Sequence, residues 1–222
     1  MSQDLTILLI KGLADTAYMV GASSAISFLF GLPLGVILSI TAPDGIGTNR
    51  PLYGALSLLV NIGRSIPFII LMVAIIPFTR FLVGTSIGTN AAVVPLSVSA
   101  IPFVGRVVES ALREIDDGII EAALSMGATP FDIIRKVLLP EALPAIISGL
   151  TLTVISLIGY SAMAGAIGGG GLGDIAIRYG YQRFMPEVML ATVIVLVLMV
   201  QFFQFAGDRL SGMARHDKKT EK

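Results

Sequence analysis

Apolar residues run along this chain in long blocks, and the charged residues fall almost entirely between them. No Asp, Glu, Lys, Arg or His occurs from 16 to 43, and "AYMVGASSAISFLFGLPLGVILSITA" (17–42) exceeds the roughly 20 residues that cross a bilayer. Pro33 inside it predicts a kink that neighbouring helices tolerate in lipid. A second block covers about 56–79 with one charge, Arg64. After the turn signals of "VGTSIGTN" a third leads from 91 to 108. A polar insert follows, then an uncharged run over 142–173, and finally "VMLATVIVLVLMVQFFQFAG" between Glu187 and Asp208. The pattern predicts an all-α integral membrane protein with five transmembrane helices, at about 17–42, 56–79, 89–109, 145–167 and 188–207. One membrane domain then covers 16–208, between a short N-terminal segment (1–15) and a C-terminal tail (209–222), which is read as disordered from about Arg215. The N-terminus lacks the basic region and cleavage site of a secretory signal, so it is expected to remain, as a short amphipathic stretch.

Composition agrees with the pattern. The 222 residues are 55% hydrophobic and only 14% charged, against about 25% charged in a typical soluble domain. Their mean hydropathy is +0.87. A formal net charge of zero gives no electrostatic case for nucleic acid. Without cysteine there is no disulfide, thiolate metal site or thiol nucleophile, and a lone His216 in a charged tail reads as solvated surface. Five crossings put the termini on opposite sides. One set of flanks carries ten basic residues (Arg50, Arg106, Arg113, Arg135, Lys136, Arg209, Arg215, Lys218, Lys219, Lys222) and the other four (Lys11, Arg80, Arg178, Arg183). The positive-inside rule therefore places the insert and the C-terminus in the cytoplasm and the N-terminus outside.

The insert, "EAALSMGATPFDIIRKVLLPEAL" (121–143), reads as two helical pieces around a glycine. "EAALSM" is rich in helix formers and Gly127 stops it. Thr129 then caps a new helix with Pro130 at its first position and Asp132 three residues after the cap. Phe131, Ile134 and Leu138 are expected along one apolar stripe, with Asp132 and Lys136 four apart and able to pair. From local chemistry alone this is a surface loop, a membrane-lying helix, or a rigid elbow offered to a partner.

Glu121-Ala122-Ala123, Gly127 four residues later and "VLLP" ending at Pro140 are similar to the cytoplasmic "EAA" loop of ATP-binding-cassette importer permeases. Within that class, "NIGRSIPFIILMVAIIPFTRFLVGTSIG", "MGATPFDIIRKVLLPEALP", "GYSAMAGAIGGGGLG" and "QFAGDR" resemble the methionine-import branch. The resemblance implies a type I importer fold with the coupling helix between spans 3 and 4. It implies two copies of the chain, two cytoplasmic ATPase subunits that carry ATP and magnesium, and an external methionine-binding protein in a bacterial inner membrane. By the same resemblance Glu121, Ala122, Ala123, Gly127 and Ala128 are the ATPase contact.

"GGGGLG" contains a G-x-G-x-x-G at Gly168, Gly170 and Gly173, but that fingerprint needs a preceding strand. It reads as a flexible external turn. No Walker A pattern occurs, so any ATP hydrolysis sits on another polypeptide, and this chain is expected to be no enzyme and to hold no cofactor or metal.

A conduit for a polar solute needs small or polar surface at membrane depth. The fourth span supplies it in Ser148, Gly149, Thr151, Thr153, Ser156, Gly159, Tyr160, Ser161, Ala164 and Gly165, a set that equally suits close helix packing. Met163 is a flexible gap-filler there, and the resemblance puts it at the gate. Arg64 is the anomaly of span 2, with Asn61, Ser65, Pro67 and Phe68 as neighbours, and is structural, snorkelling or pathway-adjacent. An ion-coupled carrier is disfavoured because no Asp or Glu is read in any span core, and a scaffold without transport would leave the elbow idle. Another small amino acid or organic solute is the alternative substrate.

Overall fold

The structure, a computed structural model, describes residues 2–220, with side chains described from Leu5 to Arg215. Every regular element among them is helical. α1 (Ser2–Thr41) is followed by α2 (Arg50–Ser65), α3 (Phe68–Ala74), α4 (Ile76–Val83) and α5 (Thr89–Arg113). Next come α6 (Asp117–Ser125), α7 (Pro130–Ile133), α8 (Leu139–Ala164), α9 (Gly171–Ile175) and α10 (Pro186–Thr220), with π-helical stretches at Ile134–Leu138, Gly165–Gly169 and Ala176–Tyr181. Four helices are long and apolar enough to span a membrane, and α2 with α3 supplies a fifth as a bent pair.

The second span departs most from the sequence pattern. It was read as one helix over about 56–79, but α2 and α3 meet at 101°. Pro67 lacks an N–H and disfavours a helical residue before it; Ile66 is extended here (φ −81°, ψ 121°) and the helix breaks at this point. At the other end, a left-handed Gly84 (φ 80°) closes α4.

The first helix also differs. The N-terminal segment is no separate stretch but the opening of the 40-residue α1, which contains Pro33 without being broken by it. α1 lies along α5, where Gly31 and Gly35 let the backbones meet. A Cβ on Gly31 would sit 2.6 Å from Val104, and one on Gly35 2.5 Å from the Gly105 carbonyl. This is small-residue packing four positions apart, the contact that holds helices together where lipid removes the hydrophobic drive. At the C-terminus α10 runs on as helix to Thr220, although the tail was expected to lose order from Arg215, and the His216 side chain lies outside those described.

Two apolar clusters organise the bundle. Met19, Val20, Phe68, Met72, Leu96, Leu157 and Ile158 fill one. Val104, Val108, Leu112, Ala123, Ile133, Leu138 and Ile146 fill the other, which joins the polar insert to the spans. The "GGGG" turn proves densely packed rather than flexible. Positive φ at Gly168, Gly170 and Gly171 lets the chain fold α9 back on the end of α8. There a Cβ on Gly173 would lie 2.3 Å from the Ala162 carbonyl. Thr16 on α1 accepts the Leu172 N–H at 2.9 Å, which pins this re-entrant piece.

Candidate functional site

The insert folds as a helix–glycine–helix elbow. Asp116 accepts the Gly118 N–H at 2.7 Å and starts α6. Gly127, at φ +81°, ends it, while the Gly127 and Ala128 N–H groups return to the Leu124 and Ala123 carbonyls at 2.9 and 3.1 Å. Thr129 accepts the Asp132 N–H at 3.2 Å and Pro130 opens α7, so the capping expected from the sequence is present. Lys136 pairs with Asp132 at 2.6 Å. Hydrogen bonds from Lys136 and then Thr129 hold the Asp132 carboxyl at about 2, below its usual range, so this turn ahead of the span stays charged at physiological pH. The helix then widens: the Leu139 N–H reaches back five residues to Ile134, immediately before Pro140, which offers no N–H. α7, the π stretch and α8 thus form one continuous rod from the elbow into the membrane.

Which faces point out differs from the sequence reading. The buried stripe is Ile133 and Leu138, with Ile134 partly covered, while Phe131 is 67% exposed. Ala123 is only 5% exposed and packs into the elbow's own core, so it cannot belong to an outer contact face. Glu121, Ala122 and Gly127 are exposed and Ala128 is partly covered. Beside them stand two residues that the sequence reading did not single out, Met126 at 83% exposed and Leu124 at 49%. An apolar knob on a charged elbow was detectable in principle from the methionine next to Gly127, but helix ends leave facing undetermined.

At membrane depth a cleft of about 190 Å³ opens between α2, α5 and α8. It gathers five of the expected residues, Arg64, Phe68, Thr153, Ser156 and Tyr160, of which Thr153 is buried. Phe68 and Tyr160 stack with ring centroids 4.7 Å apart. Asn61 lies one turn below and accepts from Arg106 at 2.8 Å. Ser161, expected with this group, is instead 1% exposed, and its hydroxyl donates to the Ile158 carbonyl. Met163 is 46% exposed but does not line the cleft. Ser99 and Phe103 on α5 also line it, and the sequence reading singled out neither, because a serine and a phenylalanine in a largely apolar stretch (91–105) carry no signal of facing.

Glu109 is a further correction. The core of the third span was read as free of acids, with Glu109 at its predicted end, yet α5 continues to Arg113 and Glu109 is 1% exposed. Arg106 pairs with it at 2.5 Å, the Tyr53 hydroxyl donates to it at 3.1 Å, and Arg113 stands 3.9 Å away. Arg106 also donates to Ser57 and Asn61, and Arg113 pairs with Asp44 in the α1–α2 turn at 2.6 Å. A carboxylate clamped in this way ties α2 to α5.

Apolar spans around a polar cleft, with a rigid elbow at one end, define a membrane-embedded transport subunit. The chain belongs to the family described as the binding-protein-dependent transport system inner membrane component, whose model matches residues 31–215. It is 56% identical to the probable D-methionine transport system permease protein MetI of Vibrio cholerae, over 94% of this chain and 93% of that one. It is 55% identical to the Escherichia coli K12 D-methionine permease MetI over 74% of this chain and 76% of that one. Among solved structures, an inward-facing form of the MetNI methionine ABC transporter aligns at TM-score 0.94 with 52% identity, covering 96% and 99% of the two chains. An amino acid ABC transporter solved with histidines shares the fold at TM-score 0.78 and 22% identity, covering 97% and 96%.

Proposed function

We propose that two copies of this chain form the conduit of an ATP-driven methionine importer in a bacterial inner membrane. Two cytoplasmic ATPase subunits carry ATP and magnesium, and an external methionine-binding protein delivers the solute. The observation that carries this reading is the elbow: an exposed apolar knob on a capped, close-packed base that continues as one rod into α8. A rod of that kind moves as a unit when its end is gripped. The chain has no phosphate-binding loop of its own, so the energy enters through that grip. Methionine as the substrate is supported by the permeases and the transporter to which the chain is similar over most of its length.

The contact face is Glu121, Ala122, Leu124, Met126 and Gly127, with Ala123 as the packing residue that holds α6 in place. The N-terminus lies outside and the C-terminus inside, as the basic flanks require. Asn61, Arg64, Phe68, Ser156 and Tyr160 flank the pathway, and Met163 stands at its gate.

Reconstituted with ATPase and binding protein, the chain supports ATP-dependent uptake of labelled methionine, and unlabelled methionine competes. Failure to compete moves the substrate to another small amino acid or organic solute. Met163→Gly opens a gap where a flexible thioether stood, and passive methionine leak from liposomes without ATP rises severalfold. An unchanged leak removes Met163 from the gate.

A further inference from the structure

Arg64 carries the one formal charge of the cleft. It lies 14 residues into α2, about 21 Å along the helix, and Ser99 lies about 15 Å from the opposite end of α5, so the cleft sits near the middle of a bilayer core about 30 Å thick. A cation at that depth is costly and ordinarily paired. Among the described residues Arg64, exposed in the single chain, has no carboxylate partner, and its guanidinium lies 5.9 Å from the centre of the Phe103 ring. The other four basic and acidic groups nearby, Arg106, Glu109, Arg113 and Asp44, satisfy one another.

The hydroxyls opposite have the reverse character. Ser99 donates its proton to the Leu96 carbonyl and Ser156 to Leu152, while Thr153, 1% exposed, donates to Gly149 within the packing. Each hydroxyl has one proton, so what Ser99 and Ser156, both part-exposed, turn toward the cleft is acceptor lone pairs. One wall therefore donates to an anion and the other accepts from a cation. Between them lie Phe68, Tyr160, Phe103 and Leu157. Aromatic rings of this kind make favourable contacts with a thioether. At about 190 Å³ the space is below the roughly 300–1,000 Å³ of drug-sized pockets and suits one small zwitterion.

We infer that this cleft is a transient binding site for the amino-acid substrate, in which Arg64 takes the α-carboxylate, the Ser99 and Ser156 oxygens take the ammonium, and the aromatic floor takes the side chain. The inference rests on the importer reading above and adds a specificity-determining residue to it. Arg64 supplies two parallel N–H groups to a carboxylate, which Lys cannot. A cationic amino acid meets an unpaired guanidinium and is rejected.

The test is saturation binding of labelled methionine to the purified permease–ATPase complex in nanodiscs without binding protein, with isolated ATPase subunits measured in parallel. The wild-type complex binds methionine beyond the ATPase background, and methioninol, which lacks the carboxylate, fails to compete. Arg64→Gln weakens this site roughly ten- to hundredfold, the range of a charge-assisted hydrogen bond, and Arg64→Lys falls between. Wild-type affinity in Arg64→Gln, or competition by methioninol equal to that of methionine, overturns the inference. If Arg64→Gln does not assemble on gel filtration, Arg64→Lys decides, with unchanged affinity overturning it. Uptake by the wild-type complex separates the two levels: no methionine uptake removes the importer reading itself, whereas uptake with an unaltered Arg64 variant removes only the carboxylate site.

Discussion

Met126→Asp abolishes ATP-driven uptake while the permease still inserts and pairs with its second copy. Met126 is 83% exposed at the turn of the elbow, between the end of α6 and Gly127, and contributes nothing to the fold's own core. Its side chain is spare apolar surface on a subunit whose partner must grip it. An aspartate there carries an unpaired carboxylate into the contact, at a cost of several kcal/mol, and about 3 kcal/mol already weakens binding roughly a hundredfold. Met126→Leu keeps size and polarity and retains most of the uptake. Co-purification of the ATPase with each variant checks the result. Full co-purification and uptake with Met126→Asp would remove the knob from the docking face.

The second large effect falls on the fold. Glu109→Ala leaves Arg106 facing an empty site at 24% side-chain exposure, stripped of its ion pair, while Tyr53 loses its acceptor. Breaking one partner of such a buried pair costs roughly 3–5 kcal/mol, because the remaining charge has no counterpart. The purified subunit therefore unfolds at lower denaturant or temperature and yields fall. Glu109→Leu combined with Arg106→Met removes both charges and recovers much of the loss, since an apolar pair of similar volume avoids the desolvation penalty. Equal loss in the single and double variants would show that the clamp contributes by shape alone.

Much of this architecture was legible in the apolar pattern, and the reason is length. A run such as 188–207 with no charge in it has one stable form in lipid, so its span follows directly. The second span was not legible in the same way. Pro67 was visible, but a proline in lipid is compatible with a kink or with a break, and only packing against α5 and α8 decides for the 101° turn. The glycine run misled for a related reason: glycine permits flexibility, yet at Gly171 and Gly173 it serves close approach, which depends on distant Thr16 and Ala162. In the elbow, caps were readable because they are local, involving Thr129, Pro130 and Gly127. Facing was not, and Ala123 turned inward because Ile133 and Leu138 return from the next helix to cover it. The cleft was half legible. Arg64 and Ser156 stand out as polar groups in apolar runs, whereas Phe103 is one apolar residue among many and Glu109 sat where the span was taken to end.

The absence of cysteine permits the most direct test of the central claim, that a separate ATPase drives this conduit by gripping the elbow. Ala122→Cys, on the exposed side of α6, gives a chain with a single thiol. In membranes holding the whole complex, a short bifunctional reagent is expected to join that thiol to the ATPase subunit, with the yield changing on ATP addition and the thiol protected from impermeant reagents applied outside. Labelling of the introduced thiol from the outer surface, or an assembled complex in which it never joins the ATPase, would contradict the account.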